Sequence, residues 1–326
     1  MKRIAPPLLP LACAALLPAT VGCLGRPSYR LLHVIGLAEK PLVVSLVLER
    51  SPDESNPPPL LNPFEPYGEL FKALGQAAGS KVIGDLCFPF QLEPNLGLGI
   101  CHLAIVSPLQ YAQITHREPF EVLAVAADEK DRAARSALLV VAASSPIQTV
   151  EELRGRKVAF GPLADARTHH AGLMLLAEHG LSATDLSLEL LPLPGSLKHF
   201  PHMRGVAQSV INGSSDAGLI DVAAWERFPE SDARPDEPVR DKLRVLAATV
   251  PLPDALILRS PTLDDATAGK VRQFLLSAAS TAPDALRPLH LGGYHAPTPE
   301  LLDTCVRVGQ MQPPTTQGAA DAAAPQ

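Results

Sequence analysis

The residues from Lys157 to Gly172 read KVAFGPLADARTHHAG. An apolar run (Val158, Ala159, Phe160) stops at Gly161 and Pro162, and Thr168 opens a new apolar-periodic run with His169 and His170 side by side. Strand, loop and helix N-terminus is a layout that receives anions. The first N–H groups of a helix lack partners inside it, and the helix dipole favours negative charge. Arg167, the Thr168 hydroxyl and two imidazoles could take phosphoryl or carboxylate oxygens. Charged imidazoles in that role predict an affinity that falls as pH rises through the ordinary histidine range, near 6.5.

Two other readings of the same residues stay open. One is a metal site built from His169, His170, His199 and His202, since imidazoles suit zinc, iron or copper. No dense Cys, Asp or Glu cluster accompanies them, and neighbouring helical residues such as His169 and His170 point in different directions. The other is a degenerate loop with solvated histidines and a lost or changed ligand.

Positioning these residues requires a sheet, and one internal similarity suggests two. GICHLAIVSPLQYAQI (Gly99 to Ile114) aligns without gaps on GSSDAGLIDVAAWERF (Gly213 to Phe228). Each is a Gly, a short apolar strand, a polar residue at its carboxyl end, and a helix. Ser107 meets Asp221, and Tyr111 meets Trp225. One such segment in each half of the chain implies two similar α/β lobes. Ligands of open α/β sheets bind beyond the carboxyl ends of the strands, so Ser107 and Asp221 are expected to face a cleft between the lobes. A bare Asp221 carboxylate there repels a dianion and favours a ligand carrying a donor, such as an amine.

The remaining pattern alternates strands and helices, which predicts a mainly parallel sheet. Strand candidates are PLVVSLVLE, KVIGDLCF, CHLAIV, FEVLAVAA, LSLELLPL, AGLID and KLRVLAAT, with DALILRS a further apolar segment. YGELFKALGQAAG has helical periodicity and a Gly stop, and Thr149 and Glu152 have capping-box spacing for a short helix. GVAQSVING, DATAGKVRQFLLSAAS and PELLDTCVRVG complete the helices, and the tail 311–326 has no core-forming content.

Bulk composition excludes several classes. The chain has 326 residues, 46% hydrophobic and 19% charged, enough for a buried core. Aromatics are only 4%, too few for a stacking groove, and a formal charge of −6 offers no basic field to nucleic acid. GxSxG, HExxH and phosphate-loop motifs are absent, and GLGICH lacks the third Gly and precedes its strand, so neither an enzyme nor a cofactor is indicated. The first 23 residues read as an export leader. Lys2 and Arg3 precede an apolar stretch broken by Pro6, Pro7, Pro10 and Pro18, and TVGC (Thr20 to Cys23) resembles a lipobox. Cys23 is then the expected lipidation site, anchoring the chain to a membrane it does not span. Cys87, Cys101 and Cys305 remain, with a Cys87–Cys101 bridge and buried free thiols both open.

YGELFKALGQAAGSKV, HLAIVSPLQYAQI, SSPIQTVEELRGRKVAFG and VINGSSDAGLIDVAAWERF together resemble the PhnD-like periplasmic solute-binding proteins of phosphonate, phosphite and phosphate ABC transporters. The similarity runs from about Leu42 to Leu302. It implies the two-lobed type II periplasmic-binding-protein fold, α/β in class, with a ligand cleft between the lobes. Lobe I is expected over 31–137 plus 251–310, and lobe II over 138–250. It implies capture of a small oxyanion for a permease and ATPase. The ligand-binding set is Ser107, Tyr111, Thr168, His169, His170, His202 and Asp221. This chain departs from the family at the anion loop. A Ser-Thr-Ser-type run before the Gly is replaced by His169, His170 and Ala171, with Thr168 the one hydroxyl nearby. His202 matches a family His only approximately, and His102 stands where the family has Asp.

Overall fold

Apolar runs of four to eight residues bounded by turn residues can bury both faces, and Leu42–Val47, Glu121–Asp128 and Ala217–Asp221 do so along nearly their whole length. The computed structural model describes residues 41–47, 62–189, 196–231 and 239–311. The expected leader, Cys23 and residues 312–326 of the tail lie outside these. The described strands are β1 (Leu42–Val47), β2 (Val82–Cys87), β3 (Leu103–Val106), β4 (Glu121–Asp128), β5 (Ala137–Ala142), β6 (Val158–Phe160), β7 (Lys198–His199), β8 (Ala217–Asp221), β9 (Leu243–Ala248), β10 (Leu256–Arg259) and β11 (Leu291–His295). They form a six-stranded sheet in the order β11-β4-β10-β3-β1-β2 and a five-stranded sheet in the order β7-β6-β8-β5-β9.

The sheets are mixed rather than mainly parallel. β1 runs parallel to β2 and β3, and β6 runs parallel to β7 and β8. β10 is antiparallel to β3 and β4, and β5 is antiparallel to β8 and β9. The cause is the chain path. It leaves the first sheet after β4 and returns at β10, so each sheet must hold strands that run against their neighbours. The two crossing stretches, 129–136 and 249–255, are tied together by reciprocal bonds: Arg135 N–H donates to Leu252 O (2.9 Å) and Leu252 N–H to Arg135 O (2.8 Å).

Amphipathic helices cover the sheets. Gly68–Ala78 buries Leu70, Phe71, Leu74 and Ala78, and ends at Gly79, whose φ of 71° is the left-handed conformation a helix stop favours. Asp265–Thr281 starts on the Asp264 cap and buries Ala268, Val271, Leu275 and Ala278. Each fully buried Leu or Val contributes about 1.5–3 kcal/mol by leaving water. Cys87, Cys101 and Cys305 are free and buried, and burial pushes their thiols up to about 11, 12 and 12.

Of the strand expected over LSLELLPL, residues 190–193 lie outside the described residues, and its described half forms only an isolated bridge from Glu189 to Ser196. The capping-box helix near Thr149 is a single 3-10 turn, Glu151–Leu153. LGGYH, unremarked in the sequence, is β11. Among the described residues no helix is long and apolar enough to cross a membrane.

Candidate functional site

β6 is buried at all three positions and delivers the chain to Gly161. A side chain at Gly161 would collide with the Thr168 hydroxyl and approach Met203 Cε to 2.6 Å, so glycine lets the loop fold back on itself. Asp165 then caps a π-helical turn, Ala166–His170, which continues as the α-helix Ala171–Glu178. Its carboxylate Oδ1 accepts from the N–H of Arg167 (2.9 Å), the N–H of Thr168 (2.6 Å) and the Thr168 hydroxyl (2.9 Å). The first donors of this helix, the groups an anion would seek, are therefore held by a carboxylate from the same loop.

The two loop histidines are interior. His169 is 0% exposed and His170 8%. His199 Nδ1 lies 3.0 Å from Leu197 O, so it carries a proton and donates to that carbonyl. His199 Nε2 and His169 Nδ1 lie 2.9 Å apart and share a hydrogen bond. His169 Nε2 has no partner among the described residues. Burial, with His199 and His170 alongside, pushes the His169 pKa down to about 3. Burial also lowers that of His170, whose Nδ1 donates to Met311 O at 2.8 Å. The expectation of charged imidazoles receiving an anion gives way to neutral ones because both rings are desolvated. Among the described residues no group of three or more His, Cys, Asp or Glu is arranged to hold a metal ion.

Asp221 ends β8. Its Oδ1 accepts the Ala223 N–H at 2.7 Å, and its Oδ2 lies 2.8 Å from Arg167 Nε and 3.8 Å from Arg135 Nη2. The Arg167 contact is off the N–H axis, so it is an ion pair and not a hydrogen bond. Arg167 Nη1 and Arg135 Nη2 share Asp254 Oδ1, at 2.7 and 2.6 Å. Two guanidinium groups and two carboxylates thus form a tetrad, with side chains 13–23% exposed, and Arg135 Nη1 lies 3.6 Å from Asp128 Oδ2 as well. Burial opposes the Arg167 charge, and Asp254, Asp221 and Asp165 more than offset it, raising its pKa. Arg167 Nη1 also reaches Leu252 O and Pro253 O, at 3.4 and 3.3 Å.

Ser107 and Tyr111 belong to the other sheet. Ser107 caps the helix Pro108–Gln113: its Oγ accepts from Gln110 N (3.3 Å), and Gln110 Oε1 accepts from Ser107 N (2.8 Å). Pro108 at the first turn and the Gln three residues after the cap make this a capping box. Tyr111 is buried, its hydroxyl pKa raised by desolvation. It shares one apolar cluster with Ile114, Leu252 and Cys305, and with Ala166, Ala171 and Met174 from the loop-and-helix segment. The register of β3 and β10 pairs Val106 with Leu256, so Ser107 and Asp254 both lie just beyond that pair. His202 stands apart as the exposed cap residue of Met203–Ile211, without a side-chain capping bond.

Asp221 therefore belongs to the tetrad, Thr168 is held by Asp165 beside Arg167, His169 packs on His199 and Phe160, His170 bonds Met311 O, and Tyr111 meets this segment through the shared core. Arg135 and Asp254 were missed because they sit in crossing stretches that show no periodicity. Asp165 was legible as a helix cap, an acidic residue just before an apolar run.

Residues 65–302 match the model of a family described as ABC transporter, phosphonate, periplasmic substrate-binding protein. Among solved structures, the XAC2383 protein of Xanthomonas citri bound to chloride is similar at 21% identity, over 82% of this chain and 97% of that one, with a TM-score of 0.59. PhnD1 of Prochlorococcus marinus in complex with methylphosphonate is similar at 13% identity, over 82% and 97%, with a TM-score of 0.55. A binding protein component of a phosphonate ABC transporter from Pseudomonas aeruginosa is similar at 14% identity, over 81% and 84%, with a TM-score of 0.52. No curated protein matches the sequence.

Proposed function

The chain belongs to the periplasmic substrate-binding family of phosphonate ABC transporters, and from that membership we propose that it captures a small oxyanion (phosphate, phosphite or a phosphonate) between its lobes for a permease and ATPase. The match over residues 65–302 carries this reading. The two sheets support a division into lobe I, 31–137 plus 251–310, and lobe II, 138–250. Of the expected ligand-binding set, Ser107 and His202 keep exposed surface for the proposed cleft, Tyr111, Thr168, His169 and His170 are buried behind it, and Asp221 is paired with Arg167. The family works in transport, and the chain acts by binding and release, not by catalysis. An anchor at Cys23 keeps it outside the cytoplasm and at the membrane.

Asp165 favours a second reading. Its carboxylate already holds the N–H groups of Arg167 and Thr168, as a bound anion would. On that reading the fold is kept and the ligand site is changed or lost, as in a sensor. Calorimetric titration with phosphate, phosphite, methylphosphonate, 2-aminoethylphosphonate, sulfate and Zn²⁺ separates the two. Heat from an anion supports capture, and silence across the panel supports the changed site.

A further inference from the structure

We propose that Arg167 sets the ligand class by occupying Asp221, so that the cleft takes oxyanions without an ammonium group and discriminates against aminoalkylphosphonates. This rests on the oxyanion reading above and narrows it.

A lone carboxylate at the end of β8 would attract an ammonium and repel a dianion. In this chain both oxygens are committed. Oδ1 takes the Ala223 N–H, and Oδ2 takes Arg167 at 2.8 Å with Arg135 behind it at 3.8 Å. Arg167 cannot step aside freely. It is held by Asp254 at 2.7 Å and by the carbonyls of Leu252 and Pro253. The Arg167 side chain is 14% exposed and Asp221 15%. An incoming ammonium would have to displace a nearly buried guanidinium from its carboxylate and leave that cation underpaired in a desolvated place, which is strongly unfavourable. Arg167 and Arg135, both facing Asp221 Oδ2, offset the charge with which it would repel a dianion. A compact oxyanion with no cationic end asks nothing of Asp221 and disturbs none of these bonds.

The test is calorimetry with methylphosphonate and 2-aminoethylphosphonate, read as the ratio of their affinities. In the wild-type chain methylphosphonate binds at least as tightly. Asp221→Asn leaves the ratio within about threefold, because the carboxylate touches no ligand. Arg167→Gln frees Asp221 and moves the ratio toward the amine by about tenfold or more. Should Arg167→Gln fail to fold, the wild-type and Asp221→Asn ratios still decide. A wild-type preference of about tenfold for 2-aminoethylphosphonate that is lost in Asp221→Asn overturns the inference and leaves oxyanion capture standing. Flat titrations with both ligands overturn capture itself, and this inference with it.

Discussion

Asp165 and His169 show how single residues change the character of a loop. An aspartate at the cap gives the helix its own internal anion. A histidine sealed against Phe160 and His199 is an uncharged interior group, not a landing point for charge. Because the folded pKa of His169 is pushed down to about 3, the unfolded chain takes up a proton near 6.5 that the folded chain refuses. The stability tied to His169 is therefore complete above about pH 6.5 and falls by up to about 1.4 kcal/mol per unit as pH drops toward 3. Urea midpoints of His169→Gln should decline less steeply than wild type between pH 6.5 and 4. Equal slopes would mean that this ring titrates alike in both states. Composition could not reveal any of this: two adjacent histidines look the same in sequence whether they are wet or buried, and only β7, which brings His199 alongside, decides.

At the scale of elements, the strands and helices with strong apolar periodicity were legible. Gly68–Ala78 and β8 follow their hydrophobic pattern, and Ser107 and Asp221 stand at strand ends as the internal similarity requires. Strand direction was not legible, because it is set by where the chain crosses between sheets. β11 escaped because LGGYH has two glycines and little β-propensity, and its ladder with β4 holds it in place. The crossing stretch 129–136 is fixed by Asp128, whose side chain is 5% exposed. Its Oδ1 accepts the N–H groups of Lys130 (3.0 Å) and Arg132 (2.9 Å), and its Oδ2 accepts Arg132 Nε at 2.8 Å. Arg132 also makes a bidentate pair with Glu226, 2.9 Å for each bond. Removing the buried carboxylate strips three bonds and leaves Arg132 half paired, so Asp128→Ala should cost about 3–5 kcal/mol in urea denaturation. A loss below about 1 kcal/mol would mean that the network behaves like an exposed surface pair.

For the whole molecule, the family match gives a transport binding protein, and the proposed leader supplies its address. A segment with four prolines before TVGC is a poor permanent span. Cys23→Ser should move the protein from the membrane fraction to the soluble one, and identical soluble fractionation of both forms would remove the lipid anchor from the account. The most direct measurement of the central claim is the calorimetric titration of the chain lacking its leader, at pH 7, with the panel of phosphate, phosphite, methylphosphonate, 2-aminoethylphosphonate, sulfate and Zn²⁺. Capture predicts one-to-one binding of at least one phosphorus oxyanion with a dissociation constant near or below about 1 μM, some −8 kcal/mol. Titrations that stay flat for every anion would contradict it.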